Sequence, residues 1–170
     1  MTDQLELVIR AATPEDLPAL EWEGEYRRFR KLYQLAMEEA KQGRRTLLVA
    51  AIDGRIVGQI FIQFTPPEGG TSGVPTGYIY SFRVRPEVRN QGIGTRLIEE
   101  AEAILRRQGC QRAMIAVAQQ NHGARRLYER HGYSFWADDP GSWSFIDDEG
   151  QRQVIHEPAH ILMKALSDPT

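Results

Sequence analysis

The segment Arg89-Asn90-Gln91-Gly92-Ile93-Gly94-Thr95 constrains this chain most. It lies between an apolar run, Tyr78 to Val84, and a stretch of strong helical periodicity, Thr95 to Gln108. A strand must turn into a helix across two glycines one residue apart, and glycines let a backbone approach a ligand closely. At a helix N-terminus several N–H groups lack an intrahelical partner and point outward, so the expected ligand is an anion. The segment has no Gly-Lys-Ser/Thr ending, which excludes the nucleoside triphosphate loop. It also lacks the third glycine of the dinucleotide fingerprint. What remains is a nest of N–H groups suited to a pyrophosphate, with Arg83, Arg85, Arg89 and Arg96 close by in sequence to neutralise charge. From the glycines alone, a plain turn with solvated arginines stays an open alternative.

The rest of the chain reads as alternating elements around this turn. Leu5 to Ala11 reads as a strand, and Thr13-Pro14-Glu15-Asp16 starts a short helix ending near Gly24. A second helix is expected from Glu25 to Gln42, with Tyr26, Phe29, Tyr33, Met37 and Ala40 on one face and Gly43 as its stop. Thr46 to Ala51 and Arg55 to Phe64 read as a hairpin closed by Asp53-Gly54. A Pro/Gly/Thr/Ser-rich loop is expected from Thr65 to Gly77, followed by the strand Tyr78 to Val84. In the helix after the glycines, Leu97, Ile98, Ala101, Ile104 and Leu105 form an apolar stripe and Gly109 marks the end. Ala113 to Ala118 is a further strand, and Asn121 caps a helix to about Arg130. Strands are expected at Tyr133 to Ala137 and Ala159 to Leu166, with a hairpin turn at Asp148-Glu149-Gly150 between them. The fold class is therefore mixed α/β (α+β): a mostly antiparallel central sheet flanked by about four helices.

Composition narrows the function classes. The 170 residues read as a single domain spanning 1–170 with enough apolar residues, 41%, for a sizeable core. A net charge of −2 and the lack of a basic aromatic stripe argue against nucleic acid and against an anionic membrane surface as partners. The start, Met1-Thr2-Asp3-Gln4, does not resemble a signal peptide, and Leu47 to Ile52 is too short to span a bilayer, so a cytoplasmic protein is expected. The single Cys110 excludes an internal disulfide and reads as a buried small hydrophobe. No His/Cys/Asp/Glu cluster has metal-ligand spacing, so no metal is expected.

Two stretches together resemble a known family. Phe-Arg-Val-Arg-Pro, then Arg89-x-x-Gly92-x-Gly94, then Leu-Ile-Glu-Glu-Ala resembles motif A of the GNAT superfamily of N-acetyltransferases. Asn121-His122-Gly123-Ala124-Arg125-Arg126-Leu127-Tyr128-Glu129-Arg130-His131-Gly132-Tyr133 looks like the same family's motif B, about thirty residues on. The element order matches as well, and the resemblance is sharpest from Tyr78 to Tyr133. It implies a GNAT-like sheet with a splayed strand pair and an acetyl-CoA-dependent N-acetyltransferase. The pantetheine arm would pair with strand backbone at Phe82 and Val84 on one side and near Ala116 on the other, with Arg83 between them. The pyrophosphate would rest on backbone amides across Asn90, Gln91, Gly92, Ile93, Gly94 and Thr95, beside Arg89. Asn121 matches the residue that contacts the pantetheine arm, and it also reads as a helix cap.

Tyr128 matches the tyrosine that in many members lies near the thioester sulfur. A phenol there can donate to the sulfur as thiolate leaves, while a strand N–H polarises the carbonyl. Many relatives place a Glu in the strand before motif A, but Tyr78 to Val84 carries no acid. Tyr78, Tyr80 or Ser81 at the end of a water chain, Glu23, Glu25 and His156 remain candidates for a base. His122 and His131 read as surface or capping residues. The acceptor, a small-molecule or peptide amine, would enter a cleft lined by Trp22, Tyr26 and Tyr33 and closed by Trp136, Trp143 and Phe145. Ordinary core packing is the competing reading of these rings. Glu21, Glu23 and Glu25 would draw in a cationic amine or form a solvated face. No residue is placed to form a covalent acyl-enzyme, which favours direct attack with both substrates bound. A non-catalytic acyl-CoA-binding sensor is the alternative, and a homodimer is compatible with the resemblance.

Overall fold

The computed structural model describes residues 6–64 and 73–166. The predicted start of the first strand at Leu5 and most of the predicted loop from Thr65 lie outside the described residues.

Nine strands and three α-helices follow in chain order among the described residues: β1 (Leu7–Ala11), α1 (Arg30–Lys41), β2 (Arg45–Ile52), β3 (Arg55–Gln63), β4 (Thr76–Val84), α2 (Ile93–Arg107), β5 (Arg112–Ala118), α3 (His122–Arg130), β6 (Ser134–Asp139), β7 (Ser142–Ile146), β8 (Arg152–His156) and β9 (Ala159–Ala165). Seven of the strands form one sheet in the order β1-β2-β3-β4-β5-β9-β6, and β7 and β8 form a separate hairpin. Every neighbouring pair in the large sheet is antiparallel except β4 and β5, which run parallel. The expected mixed, mostly antiparallel sheet is therefore present.

Local signals produced the elements they announced. Asp53 (φ +50°) and Gly54 (φ +81°) form the two-residue turn between β2 and β3, as a twisted hairpin requires. Asn121 Oδ1 accepts the Ala124 amide at 3.1 Å and caps α3. Gly109 (φ +83°) follows the last turn of α2.

Two predicted helices came out differently. The stretch Pro14–Glu21 is a 3-10 helix rather than an α-helix, with Pro18 inside it. Proline supplies no N–H and crowds the preceding turn, so a longer-range α ladder cannot pass through that position. The helix expected from Glu25 begins only at Arg30, preceded by a 3-10 turn at Arg27–Phe29. Trp22 (φ +47°) and Glu23 (φ +54°) occupy the left-handed region just before it. Tyr26 and Phe29 are fixed by distant partners instead of by helix register: Tyr26 lies under Arg83, and Phe29 packs on Phe145.

Two features of β4 position the site. Its pairing with β5 runs from Thr76↔Arg112 to Ile79↔Ile115 and stops there. Beyond that point the two strands part, so the facing backbone edges of both open like a V. The second feature is a bulge against β3, where pairing jumps from Gln59↔Arg83 to Phe61↔Tyr80 and Ser81 takes φ +53°. The extra residue reverses the facing of side chains. Tyr80 packs with Leu20, Tyr33, Met37 and Phe61 on the α1 side of the sheet. Phe82 and Val84 instead pack with Ile93, Leu97 and Tyr128 on the α2–α3 side. A regular strand would have kept Tyr80, Phe82 and Val84 on one face.

Candidate functional site

Past the point where β4 leaves β5, the end of β4 borders a cleft of about 630 Å³. Phe82, Val84, Val88, Arg89, Asn90, Gly92, Ile93, Gly94 and Thr95 form one wall, and Asn121, Gly123, Ala124, Leu127, Tyr128 and Arg130 form the other. The end of β4, the α2 N-terminus and the α3 helix supply these residues.

The glycine turn builds the anion-facing end. Asn90 (φ +65°) and Gly92 (φ +81°) bend the backbone so that α2 begins at Ile93. The first helical bond of α2 runs from Arg96 N to Gly92 O, and the amides of Ile93, Gly94 and Thr95 have no backbone acceptor among the described residues. Three consecutive N–H groups therefore face the cleft end with the positive pole of a four-turn helix behind them. Gly94 has a separate reason to be glycine, because a Cβ there would lie 3.2 Å from Phe82 Cζ. Diphosphate chemistry fits this donor set: amides in a row, a close approach, and Arg89 and Arg130 on the rim.

The predicted residues divide as follows. Phe82, Val84, Arg89, Asn90, Gly92, Ile93, Gly94, Thr95, Asn121 and Tyr128 all border the one cleft. Gln91 is exposed and does not line it. Arg83 borders the cleft, but its guanidinium is turned to the α1 side, where it donates to Tyr33 Oη at 2.9 Å and Gln59 Oε1 at 2.9 Å. Arg85 follows it, forming a two-pronged ion pair with Glu23 at 3.0 Å. Neither side chain can neutralise a phosphate in the cleft, because the Ser81 bulge puts both on the other face of the sheet. Arg89 donates from Nε to Val84 O at 3.0 Å, which ties the turn to the end of β4. Val88, Gly123, Ala124, Leu127 and Arg130 are additions to the cleft. Helical spacing groups Ala124 and Leu127 with Tyr128 on one face, whereas nothing local marks Val88, Gly123 or Arg130.

Tyr128 is buried at the inner end of the cleft, with Phe82 at 6.1 Å and Tyr133 at 6.2 Å between ring centroids. Burial, helped by nearby Tyr78, pushes its phenol up to about 12. The hydroxyl therefore stays protonated at neutral pH and can act as a donor. Thr95 Oγ1 and His131 Nε2 lie 3.3 Å apart, tying the α2 N-terminus to the end of α3.

On the α1 side, Tyr78 and Tyr80 stack with centroids 5.5 Å apart. Burial, with Asp139 and Tyr80 nearby, pushes the Tyr78 phenol up to about 12. Tyr80 Oη accepts from Arg45 Nη1 at 2.6 Å, and Ser81 Oγ accepts from Gln59 Nε2 at 3.1 Å. Glu21 is paired with Arg30 at 2.8 Å and Glu23 with Arg85, so neither is a free carboxylate for a cationic acceptor or a proton. His156 Nδ1 lies 3.0 Å from Ser142 Oγ on the β7–β8 hairpin.

The aromatic residues partly met. Trp143 and Phe145 of the hairpin reach Phe29, with centroids 6.4 and 4.9 Å away, and Phe29 continues to Tyr26 and Tyr33. Trp136 does not join them. It is exposed on the outermost strand β6, with the Arg112 guanidinium 5.5 Å above its ring. The β6 register shifts between Phe135 and Ala137, which turns Trp136 out of the sheet alternation.

Among the described residues no group of three or more His, Cys, Asp or Glu side chains could hold a metal ion. Among them also, no helix is long and apolar enough to cross a membrane.

A family model described as the acetyltransferase (GNAT) family matches residues 10–133 of this chain. Solved structures share the fold over nearly the whole length. Ard1 from Thermoplasma volcanium is 18% identical with a TM-score of 0.72, the match covering 95% of this chain and 99% of that one. An Escherichia coli N-acetyltransferase of a ribosomal-protein alanine is 19% identical with a TM-score of 0.71, covering 97% of each chain. The PaiA N-acetyltransferase from Thermoplasma acidophilum, solved in complex with coenzyme A, is 18% identical with a TM-score of 0.69, covering 95% of this chain and 99% of that one.

Proposed function

This chain belongs to the GNAT acetyltransferase family, and from that premise we propose that it transfers an acetyl group from acetyl-CoA to a primary amine by direct attack, with both substrates bound together. The observation that carries the reading is the single cleft that joins the free amides of Ile93, Gly94 and Thr95 to the Tyr128 phenol along the end of β4, past the point where it leaves β5. A structural relative, PaiA, was solved with coenzyme A, and the cleft here has the donors for the diphosphate of that cofactor.

In this reading the α2 amides and Arg89 hold the diphosphate. The edge of β4 at Phe82 and Val84, which has no β5 partner, offers strand-like hydrogen bonds to the pantetheine arm, with Val84 O already accepting from Arg89 Nε. Asn121 keeps its Oδ1 on the Ala124 amide, which leaves its side-chain NH₂ available to the arm. The acceptor nitrogen attacks the thioester carbonyl, forming the amide bond and breaking the carbon–sulfur bond. The nitrogen loses its proton to solvent, and the departing sulfur takes one from Tyr128, which solvent then restores. A phenol near 12 is a weak acid, so its main contribution is a hydrogen bond that strengthens as negative charge grows on sulfur.

The test is thiol release from acetyl-CoA with a panel of amines, wild type against Tyr128→Phe. The expected result is a fall in kcat of about 10²-fold, with coenzyme A affinity by calorimetry within a factor of about two. Equal turnover of the two proteins removes the acid role. Absence of coenzyme A binding removes the whole reading.

A further inference from the structure

We infer that Arg83 selects acceptor amines that also carry a carboxylate. This rests on the acetyl-transfer reading above and specifies its acceptor. The Arg83 guanidinium lies on the α1 side of the sheet, the side opposite the α2 amides. Its Nη2 donates to three oxygens, Leu20 O at 3.1 Å, Tyr33 Oη at 2.9 Å and Gln59 Oε1 at 2.9 Å, and none of them carries a charge. The Tyr26 ring covers one face, its centroid 3.5 Å from Arg83 Cζ.

What the group lacks is an anion. Arg85, two residues on and on the same face, has Glu23 at 3.0 Å, and Arg45 has Glu39 at 2.7 Å. Among the described residues no carboxylate lies within 4.0 Å of Arg83, its Nη1 makes no hydrogen bond, and its buried Nε has no acceptor. A guanidinium held by neutral oxygens and aromatic rings has no counter-charge in its partly desolvated surroundings. An arriving carboxylate there gains more than it would at a solvated arginine, through charge-assisted bonds to Nη1.

The position suits an acceptor rather than the cofactor. Gln59 spans the gap to the bulge, since its Nε2 donates to Ser81 O at 3.2 Å and Oγ at 3.1 Å while its Oε1 accepts from Arg83. One side chain thus links the guanidinium to the point where β4 leaves β5. A molecule anchored at Arg83 by a carboxylate can extend along Tyr80 and Tyr78 toward the V with its amine leading.

The test uses the wild-type enzyme with acetyl-CoA. The acceptors are the proteinogenic α-amino acids and a series of ω-amino acids, each paired with its carboxamide. We expect the best acid to exceed its carboxamide in kcat/KM by about 10- to 100-fold, the range for a charge-assisted hydrogen bond. In Arg83→Met the ratio of acid to carboxamide kcat/KM should fall to about one, mainly through the KM of the acid, and Arg83→Lys should restore part of it. Thermal melts establish that each variant is folded, and the wild-type comparison stands without any variant. Carboxamides or simple amines turned over as well as the acids overturn the inference while leaving acetyl transfer intact. Turnover of none of the acids also overturns it. Failure of coenzyme A binding or of thiol release with every amine is the separate outcome that removes the transferase reading.

Discussion

Gly94 and Phe82 are in contact across the strand–helix turn: a Cβ on Gly94 would lie 3.2 Å from Phe82 Cζ. The glycine pattern thus does two jobs at two positions. Gly92 is glycine because φ is +81° there, and Gly94 is glycine because a ring occupies the space beside it. Phe82 in turn sits 6.1 Å from Tyr128, so the contact reaches the proposed reacting end of the cleft.

Gly94→Ala is therefore expected to push Phe82 by a few tenths of an ångström toward the cleft. Coenzyme A affinity should fall about tenfold, while thermal stability falls by about 1 kcal/mol or less. Calorimetric titration and a melt on the same sample separate the two. Unchanged affinity would mean that the ring relaxes freely and does not shape the cleft.

The protonated state of Tyr128 predicts the form of the pH profile. With the phenol held up to about 12, its ionisation produces no fall in kcat between pH 7 and 10. Tyr128→Phe should lower the curve without shifting its alkaline limb in that range. The native tyrosine also holds its proton where the unfolded one, at the usual 10.0, has lost it. Stability should therefore decline as pH rises above about 10, and less steeply in the Phe variant. An alkaline limb below pH 10 that disappears in Tyr128→Phe would contradict the assignment.

At the other end of the chain, Asp16 anchors the first 3-10 helix. Arg10 donates to both its carboxylate oxygens, at 2.7 and 3.0 Å, and the Thr13 amide donates at 2.7 Å. The Arg10 guanidinium holds the carboxyl down to about 2 from the usual 3.8. A lowered value means stability that is present above 3.8 and is lost as pH falls toward 2. Asp16→Ala should cost about 1–2 kcal/mol at pH 7, since Arg10 is partly solvated, and the cost should shrink below pH 3. Chemical denaturation at the two pH values measures this.

Under the cleft, Glu102 is buried and accepts from Tyr133 Oη at 2.9 Å and Lys164 Nζ at 2.8 Å. This joins α2, the end of α3 and β9. Tyr133→Phe leaves the Lys164 bond in place and should cost about 1–2 kcal/mol. Glu102→Ala leaves both donors without their acceptor and should cost about 2–3 kcal/mol, below a fully buried pair because Lys164 can reach water. Urea melts test the ranking. Tyr133 packs on Tyr128, so kcat should fall in both variants more than coenzyme A affinity does.

Much of the cleft was legible in the chain because its parts are local. Asn121 caps α3, Gly92 opens α2 and Asp53-Gly54 closes a hairpin through φ values and hydrogen bonds chosen within a few residues. Those short-range choices, with the apolar stripes of α1 and α2, determined the element order and therefore the layer class. The two family motifs are legible for the same reason, since each is a run of consecutive residues around one helix. The facing of Arg83 and Arg85 was decided by tertiary structure. It depends on a bulge at Ser81 that arises only when β4 pairs with β3, and one extra residue there exchanges the two faces of the strand. The meeting of Phe29 with Trp143 and Phe145 depends likewise on partners over a hundred residues away, and the removal of Trp136 from that cluster depends on the register of β6 against β9. No window of sequence contains those pairings, because packing contacts are selected by the completed sheet.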